Sequence, residues 1–176
     1  MSRYNRTTTA LGMAALIAAS ALLGLPYWRQ EFAIADLSTG PDQWHRERLR
    51  DGSQLTLHPG SSVALQFDDD HRLIHLLSGQ VLVEAGTTPL QVSTPQAVVE
   101  TRDARVVIER LETSTRISQL AGRSRITEQL TLDAGQEVSL TEHGMDPVRA
   151  LDATAMEQAW SPGAEEGRMS APDPKR

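Results

Sequence analysis

Turn-forming residues recur at short intervals through the middle of this sequence, and they leave little room there for long helices. Asp51-Gly52, Pro59-Gly60, Ser78-Gly79 and Asp133-Ala134-Gly135 each end in a glycine that tolerates positive φ. Between the first two, Leu55 and Leu57 alternate with Gln54, Thr56 and His58, and Val63, Leu65 and Phe67 continue the alternation after the second. A period of two is the mark of a half-buried strand.

The rhythm predicts a first strand over 44–49 and a central strand over 72–77, where apolar residues occupy both faces. Ser78-Gly79 then reads as a turn into a separate strand over 80–85. Residues 90–92 begin a short strand stopped by Pro95, which makes 90–93 an edge able to accept another strand. Residues 97–101 and 104–110 read as two paired strands divided by Arg102-Asp103, and 115–121 and 123–127 as two more joined at Gly122. Strands over 130–132 and 136–140 complete the series. Many short strands with turn residues between them predict an all-β, sandwich-like domain of antiparallel strands, with a solenoid or barrel as the alternative arrangements. Ala153, Met156 and Trp160 then fall at helical spacing behind Asp152 or Thr154 as N-cap, which predicts a short helix.

Arg3 and Arg6 precede a charge-free apolar run over 10–25. With the preceding threonines and the interfacial pair Tyr27-Trp28, residues 7–28 are long enough to span a bilayer. Ala33-Ile34-Ala35 offers the alternative of a cleaved export signal. Either way the positive-inside rule places the remainder outside the cytoplasm. The expected organisation is a stub and anchor or signal peptide over 1–28, a juxtamembrane linker over 29–43, a β domain over 44–150, a helix over 151–160, and a disordered polar tail over 161–176.

A formal net charge of −6 argues against nucleic acid bound through bulk electrostatics, and the absence of cysteine excludes disulfides, zinc-thiolate sites and thiol catalysis. The alternating Arg46, Arg48 and Arg50 read as a solvated strand face. His71 and His75, beside Asp68, Asp69 and Asp70, have a helical metal-ligand spacing, but on a strand they stand about 13 Å apart and cannot share one ion. Ser53, Ser61 and Ser62 lie near His45 and His58 without any nucleophile-elbow context, so they read as turn serines. Glu84, Glu100 and Glu109 lie on strands with few aromatic residues available to stack on a sugar, and read as solvated side chains. The residues therefore point to no enzyme, no metal site, no cofactor and no small-molecule substrate.

The segment LRDGSQLTLHPGSSVALQF over 49–67, the Gly79-containing SGQVLVEA and the later LDAGQEVSL together resemble the FecR family, over residues 36–160. The motif residues are Asp51, Gly52, Ser53, Gly79, Gly135, Gln136 and Trp160, all read as structural. The resemblance implies an inner-membrane regulator of extracytoplasmic sigma factors, of the anti-sigma kind and linked to iron transport, with its β domain in the periplasm. It implies partners among envelope or inner-membrane proteins, such as a full-length regulator or an outer-membrane receptor. His58 stands where the family often has Asn, and Glu100 where a second motif has Gly. Nine residues before Ala10 and a polar stretch after Trp160 suggest a divergent member shortened at both signalling ends, acting from the periplasm. The alternative function is an envelope ligand-binding module, for a polysaccharide or another ligand, with no sigma-factor role.

Overall fold

The computed structural model describes residues 35–68, 71–127 and 130–160. They are 61% strand and 6% helix, so the chain is all-β, and its twelve strands join one open mixed sheet. The strands are β1 (Leu37–Ser38), β2 (His45–Arg48), β3 (Gln54–Leu57), β4 (Ser62–Phe67), β5 (Arg72–Ala85), β6 (Leu90–Ser93), β7 (Val98–Arg110), β8 (Ser114–Ile126), β9 (Leu130–Asp133), β10 (Gln136–Thr141), β11 (Gly144–Met145) and β12 (Arg149–Ala150), followed by helix α1 (Ala153–Ala159).

Three long strands, β5, β7 and β8, each serve two layers. Their first layer runs β1-β4-β5-β6-β7-β8-β9, using Arg72 to Ser78 of β5, Val98 to Arg102 of β7 and Arg123 to Ile126 of β8. The second runs β2-β3-β5-β7-β8-β10, using the other half of each long strand, with β11 and β12 attached to β10. Ile74 and Leu76 from one half of β5 share a buried cluster with Val81 and Val83 from the other half, and with Val99, Val106, Ile108, Ile117 and Ile126. One face of the sheet thus packs on itself, because no other described element covers it. That is the sandwich-like arrangement, made by folding one sheet over. Each fully buried Leu, Ile or Val in it contributes about 1.5–3 kcal/mol of burial.

Every long strand changes phase at its corner. Inward positions are 74 and 76 and then 81 and 83 on β5, 99 and 101 and then 106 and 108 on β7, and 117 and 119 and then 124 and 126 on β8. The ladder is irregular at the same places: opposite Ser78 and Leu76 on β4, and between Arg102, Arg105 and Val106 on β7. An extra residue flips the alternation and bends the strand. For this reason the breaks at Ser78-Gly79, Arg102-Asp103 and Gly122 are bends within continuous strands and not turns between shorter ones. Residues 97–101 and 104–110 do not pair with each other as the sequence suggested.

Two further expectations change. The segment over 90–93 is no edge, since β6 lies between β5, parallel to it, and β7, antiparallel to it. The stretch read as a linker contributes β1, which is pinned to β4 by Asp36 N–H on Val63 O at 2.9 Å and Leu65 N–H on the Asp36 carboxylate at 2.7 Å. The short helix is present, with the Asp152 carboxylate capping Ala155 N–H at 3.0 Å. Among the described residues no helix is long and apolar enough to cross a membrane; the run over 7–28 and the tail over 161–176 lie outside them.

Gly79 shows how tightly a corner is built. Its φ is +77°, and a Cβ there would collide with the Ser61 hydroxyl and lie 2.8 Å from Ser61 Cα and 2.9 Å from Gly60 O. Gly135 has φ +80° with open space around it. Gly135→Ala is therefore expected to cost about 1–2 kcal/mol, the left-handed penalty alone. Gly79→Ala should cost about 3 kcal/mol or more, because backbone must also move. Denaturant unfolding of the two variants checks this, and equal costs would show that the close approach of Ser61 carries no energy.

Candidate functional site

The motif residues hold the corners and turns. Asp51 receives two hydrogen bonds from Ser53, from its N–H at 3.0 Å on Oδ1 and from its hydroxyl at 3.0 Å on Oδ2, while Gly52 turns with φ +85°. Ser53 Oγ in turn accepts the Gly86 N–H at 3.1 Å, and Gly86 O accepts from Asp103 N at 2.8 Å. The turn after β2 is thereby tied to the end of β5 and to the corner of β7. Gly135 turns β9 into β10, its N–H meets Gln119 O at 2.8 Å, and the Gln136 side chain accepts from Asp133 N at 2.8 Å.

Trp160, the remaining motif residue, belongs to a second apolar cluster on the outer face of the second layer. It is 5% exposed and packs with Leu82, Val107 and Leu120, and Trp44, Leu151 and Met156 surround it. Trp44, His58 and Trp160 meet edge to face, with ring centroids 4.6 Å apart for Trp44–His58, 5.5 Å for the two tryptophans and 5.7 Å for His58–Trp160. Such pairs add about 0.5–1.5 kcal/mol beyond their area burial. A seven-residue helix is marginal alone, and α1 buries no residue of its own. It is held by Trp160 at its C-cap and by the Arg105 guanidinium, which joins Glu84 at 3.1 Å and Glu157 at 2.7 Å. This aromatic lock, and the short helix it seats, lie over Leu82, Val107 and Leu120 on the outer face of the second layer.

The residues weighed for chemistry are dispersed. His71 Nδ1 faces Asp68 at 2.9 Å, while His75 lies on β5 between Ala64 and Ser93. Among the described residues no three His, Asp or Glu side chains are grouped as metal ligands. Ser61 Oγ bonds to Gln80, Ser62 Oγ to Ser78 Oγ and Ser53 Oγ to Asp51, and none of these bonds involves His45 or His58. Glu84 pairs with Arg105, Glu100 with Arg125 at 3.9 Å, and Glu109 with Arg116 at 2.8 Å and Gln80 at 2.8 Å. Arg46 and Arg48 are on the exposed face of β2, an edge strand.

Sequence reasoning did not bring Trp44 and His58 to Trp160. Trp44 precedes β2 and His58 follows β3, so the β2–β3 pairing sets them side by side, but only the return of the chain after β12 adds the third ring. No local signal encodes that meeting.

The fold and its surfaces define a folded-over β domain built around motif turns, with a C-terminal helix latched to one outer face. The FecR protein family model matches residues 35–125, from just before β1 into the last part of β8, and the chain belongs to the FecR family. Gly135, Gln136 and Trp160 lie beyond the matched residues. Two crystal structures of an anti-sigma factor candidate from Parabacteroides distasonis share the fold. One has a TM-score of 0.63 at 19% identity over 70% of this chain and 63% of that one. The other has 0.62 at 18% identity over 69% and 62%. The chain thus spans somewhat less than two thirds of the length of the solved proteins it matches. No curated protein matches the sequence.

Trp160→Ala is expected to free α1 from the sheet and to lower stability by about 3 kcal/mol, as for large aromatic truncations at buried sites. Arg105→Ala should cost about 1 kcal/mol or less, since its ion pairs are solvent-screened. Amide exchange over 153–159 with denaturant midpoints checks both; a helix that stays protected in the Trp160 variant would show that the aromatic lock does not seat it.

Proposed function

We propose that this protein is a non-enzymatic FecR-type regulator acting by protein contact in extracytoplasmic sigma-factor signalling at the cell surface. In this reading residues 7–28 anchor it in the inner membrane, its β domain lies in the periplasm, and its partner is an envelope protein such as a full-length regulator or an outer-membrane receptor. The observation that carries the reading is the family match across most of the sheet. Two further points support it. The structural neighbours are described as anti-sigma factor candidates. The charge-free run behind Arg3 and Arg6 has the composition of an anchor.

Protein contact is favoured by the surfaces themselves. Ser53 and Ser61 are engaged in turn and backbone hydrogen bonds, and Glu84, Glu100 and Glu109 in ion pairs, whereas the half-buried Trp44 and His58 at the rim of the aromatic lock offer aromatic contact area of the kind that protein interfaces use.

Deleting the gene in its native host should change transcription from promoters of one extracytoplasmic sigma factor, and the full chain supplied in trans should restore it. Unchanged sigma-dependent transcription would remove the regulatory reading and leave the ligand-binding module in its place. Membrane peptides from the complemented strain should still include residues 29–35; a mature N-terminus at Asp36 would show export with cleavage instead of anchoring.

A further inference from the structure

The outer face of the first layer carries an arrangement of charge that sheet energetics disfavour. Arg102 on β7 lies directly opposite Arg123 on β8, and Arg125 stands two residues further along β8. Like charges opposite each other on antiparallel strands destabilise the pair. Asp133 relieves Arg123 at 2.6 Å, and Glu100 lies 3.9 Å from Arg125. Among the described residues no carboxylate forms an ion pair with Arg102.

The three arginines line one open depression of about 450 Å³, whose walls also include Glu100, Asp103 and Thr131. It lies at a corner. The bulge of β7 follows Arg102, Asp103 has φ +47°, and Gly122 on β8 has φ +70° with the Asp103 carbonyl 2.5 Å from where a Cβ would stand. Bulges re-aim side chains, and non-glycine residues in the left-handed region gather at ligand sites. The corner explains the backbone but not the facing pair of arginines: at the corner of β5, Ser62 lies opposite Ser78 and Arg110 opposite Gly79, so no two like charges face each other. A local rule broken without a structural return marks a functional candidate.

We propose that this depression is an oxyanion site for a phosphate-class group held between the Arg102 and Arg123 guanidinium groups, with Arg125 at its rim. The guanidinium fork suits tetrahedral oxyanions bidentately, and a group with two negative charges between the two arginines converts their repulsion into attraction. Glu100 and Asp103 in the same wall repel further negative charge, so the site fits a single phosphate group and not a polyanion. That group comes either from a soluble phosphate monoester or from a lipid headgroup.

Glycerol phosphate and detergent-solubilised phosphatidic acid, titrated separately against the full chain, distinguish the two sources. At least one should bind saturably, and the probe that binds identifies the source. Arg102→Gln should weaken that binding about tenfold or more, while Arg50→Gln, at a separate turn, leaves it unchanged. Because it removes a like-charge contact, Arg102→Gln should also raise the melting temperature of the unliganded protein and abolish the rise that ligand gives the parent. If neither probe saturates, or if Arg102→Gln binds as the parent does, the proposal is overturned. A fall in the unliganded melting temperature would equally overturn it, by showing that Arg102 has a structural partner.

Discussion

A strand that serves two layers must break its own ladder at the corner, and the hydroxyl of Ser61 is what makes that break tolerable on β5. Ser61 Oγ accepts the Gln80 N–H at 2.9 Å and donates to Gln80 O at 2.9 Å, so one buried side chain reaches both backbone groups of the residue after Gly79, whose carbonyl also accepts the His58 N–H at 3.0 Å. Arg110 donates to the Leu76 and Leu77 carbonyls at 3.1 and 2.5 Å, which covers the other side of the bend. Thr39 then holds Ser61 in place, accepting its N–H at 2.9 Å and donating to His58 O at 2.7 Å. A buried amide or carbonyl left without a partner costs about 1–3 kcal/mol, and these side chains spare the corner that cost at the Gln80 N–H and at the Leu76 and Leu77 carbonyls. β4 and β6 depend on one half of β5, β3 and β7 on the other, and all four positions follow from this bend. Gln119 does the same work where β7 and β8 turn: fully buried, it donates to Ala121 O at 2.8 Å and Arg105 O at 3.4 Å.

The corners also explain which parts of the fold were legible in the sequence. Alternation within each half-strand was plain, so the inward set including Leu55, Leu57, Val63, Val81 and Val83 followed from period two alone. Breaks at Ser78-Gly79, Arg102-Asp103 and Gly122 were equally plain, but a break in sequence looks the same whether the chain reverses or bends. Only the tertiary partners decide. A reversal at Arg102-Asp103 would have paired 97–101 with 104–110, whereas the bend lets β6 insert between β5 and β7 in one layer and lets β5 and β7 pair directly in the other. β6 looked like an edge because Pro95 follows it, yet Pro95 falls just past its last paired residue, where no ladder donor is needed. The site was less legible than the fold, since the aromatic lock joins Trp44 and His58 to Trp160 from the far end of the domain, and the arginines meet only through the register of the long β7–β8 pair beyond its bends.

The two outer faces of the molecule differ in kind. On the second layer, Leu82, Val107 and Leu120 make an apolar strip that the chain covers with its own α1 and Trp160. On the first, the registered row Gln66, Leu73, Gln91, Glu100, Arg125 and Thr131 crosses from β4 to β9, and among the described residues no helix lies over it. A mostly polar row of this kind satisfies itself with water, whereas the apolar strip needs a cover. The chain therefore spends its only described helix where exposure would cost most and leaves the polar face accessible.

The residues that carry the family resemblance are mostly conditions on the backbone. Gly52, Gly79 and Gly135 all adopt positive φ, Asp51 and Ser53 close a turn, and Gln136 closes another. Such conditions fix where strands turn and bend but place almost no demand on outward side chains. Two chains can therefore share this fold at 19% identity with a TM-score of 0.63, because only the turns, the corner polar groups and the inward apolar positions need to agree. The same reasoning limits what the motif can say about a partner. Binding specificity must reside on outward positions, and Arg102, Arg123 and Trp44 lie outside the motif residues, while His58 stands at a motif position where the family often has Asn. Apart from Trp160 and His58, which belong to both, the pattern that identifies the family and the surfaces that would distinguish one member from another are carried by different residues.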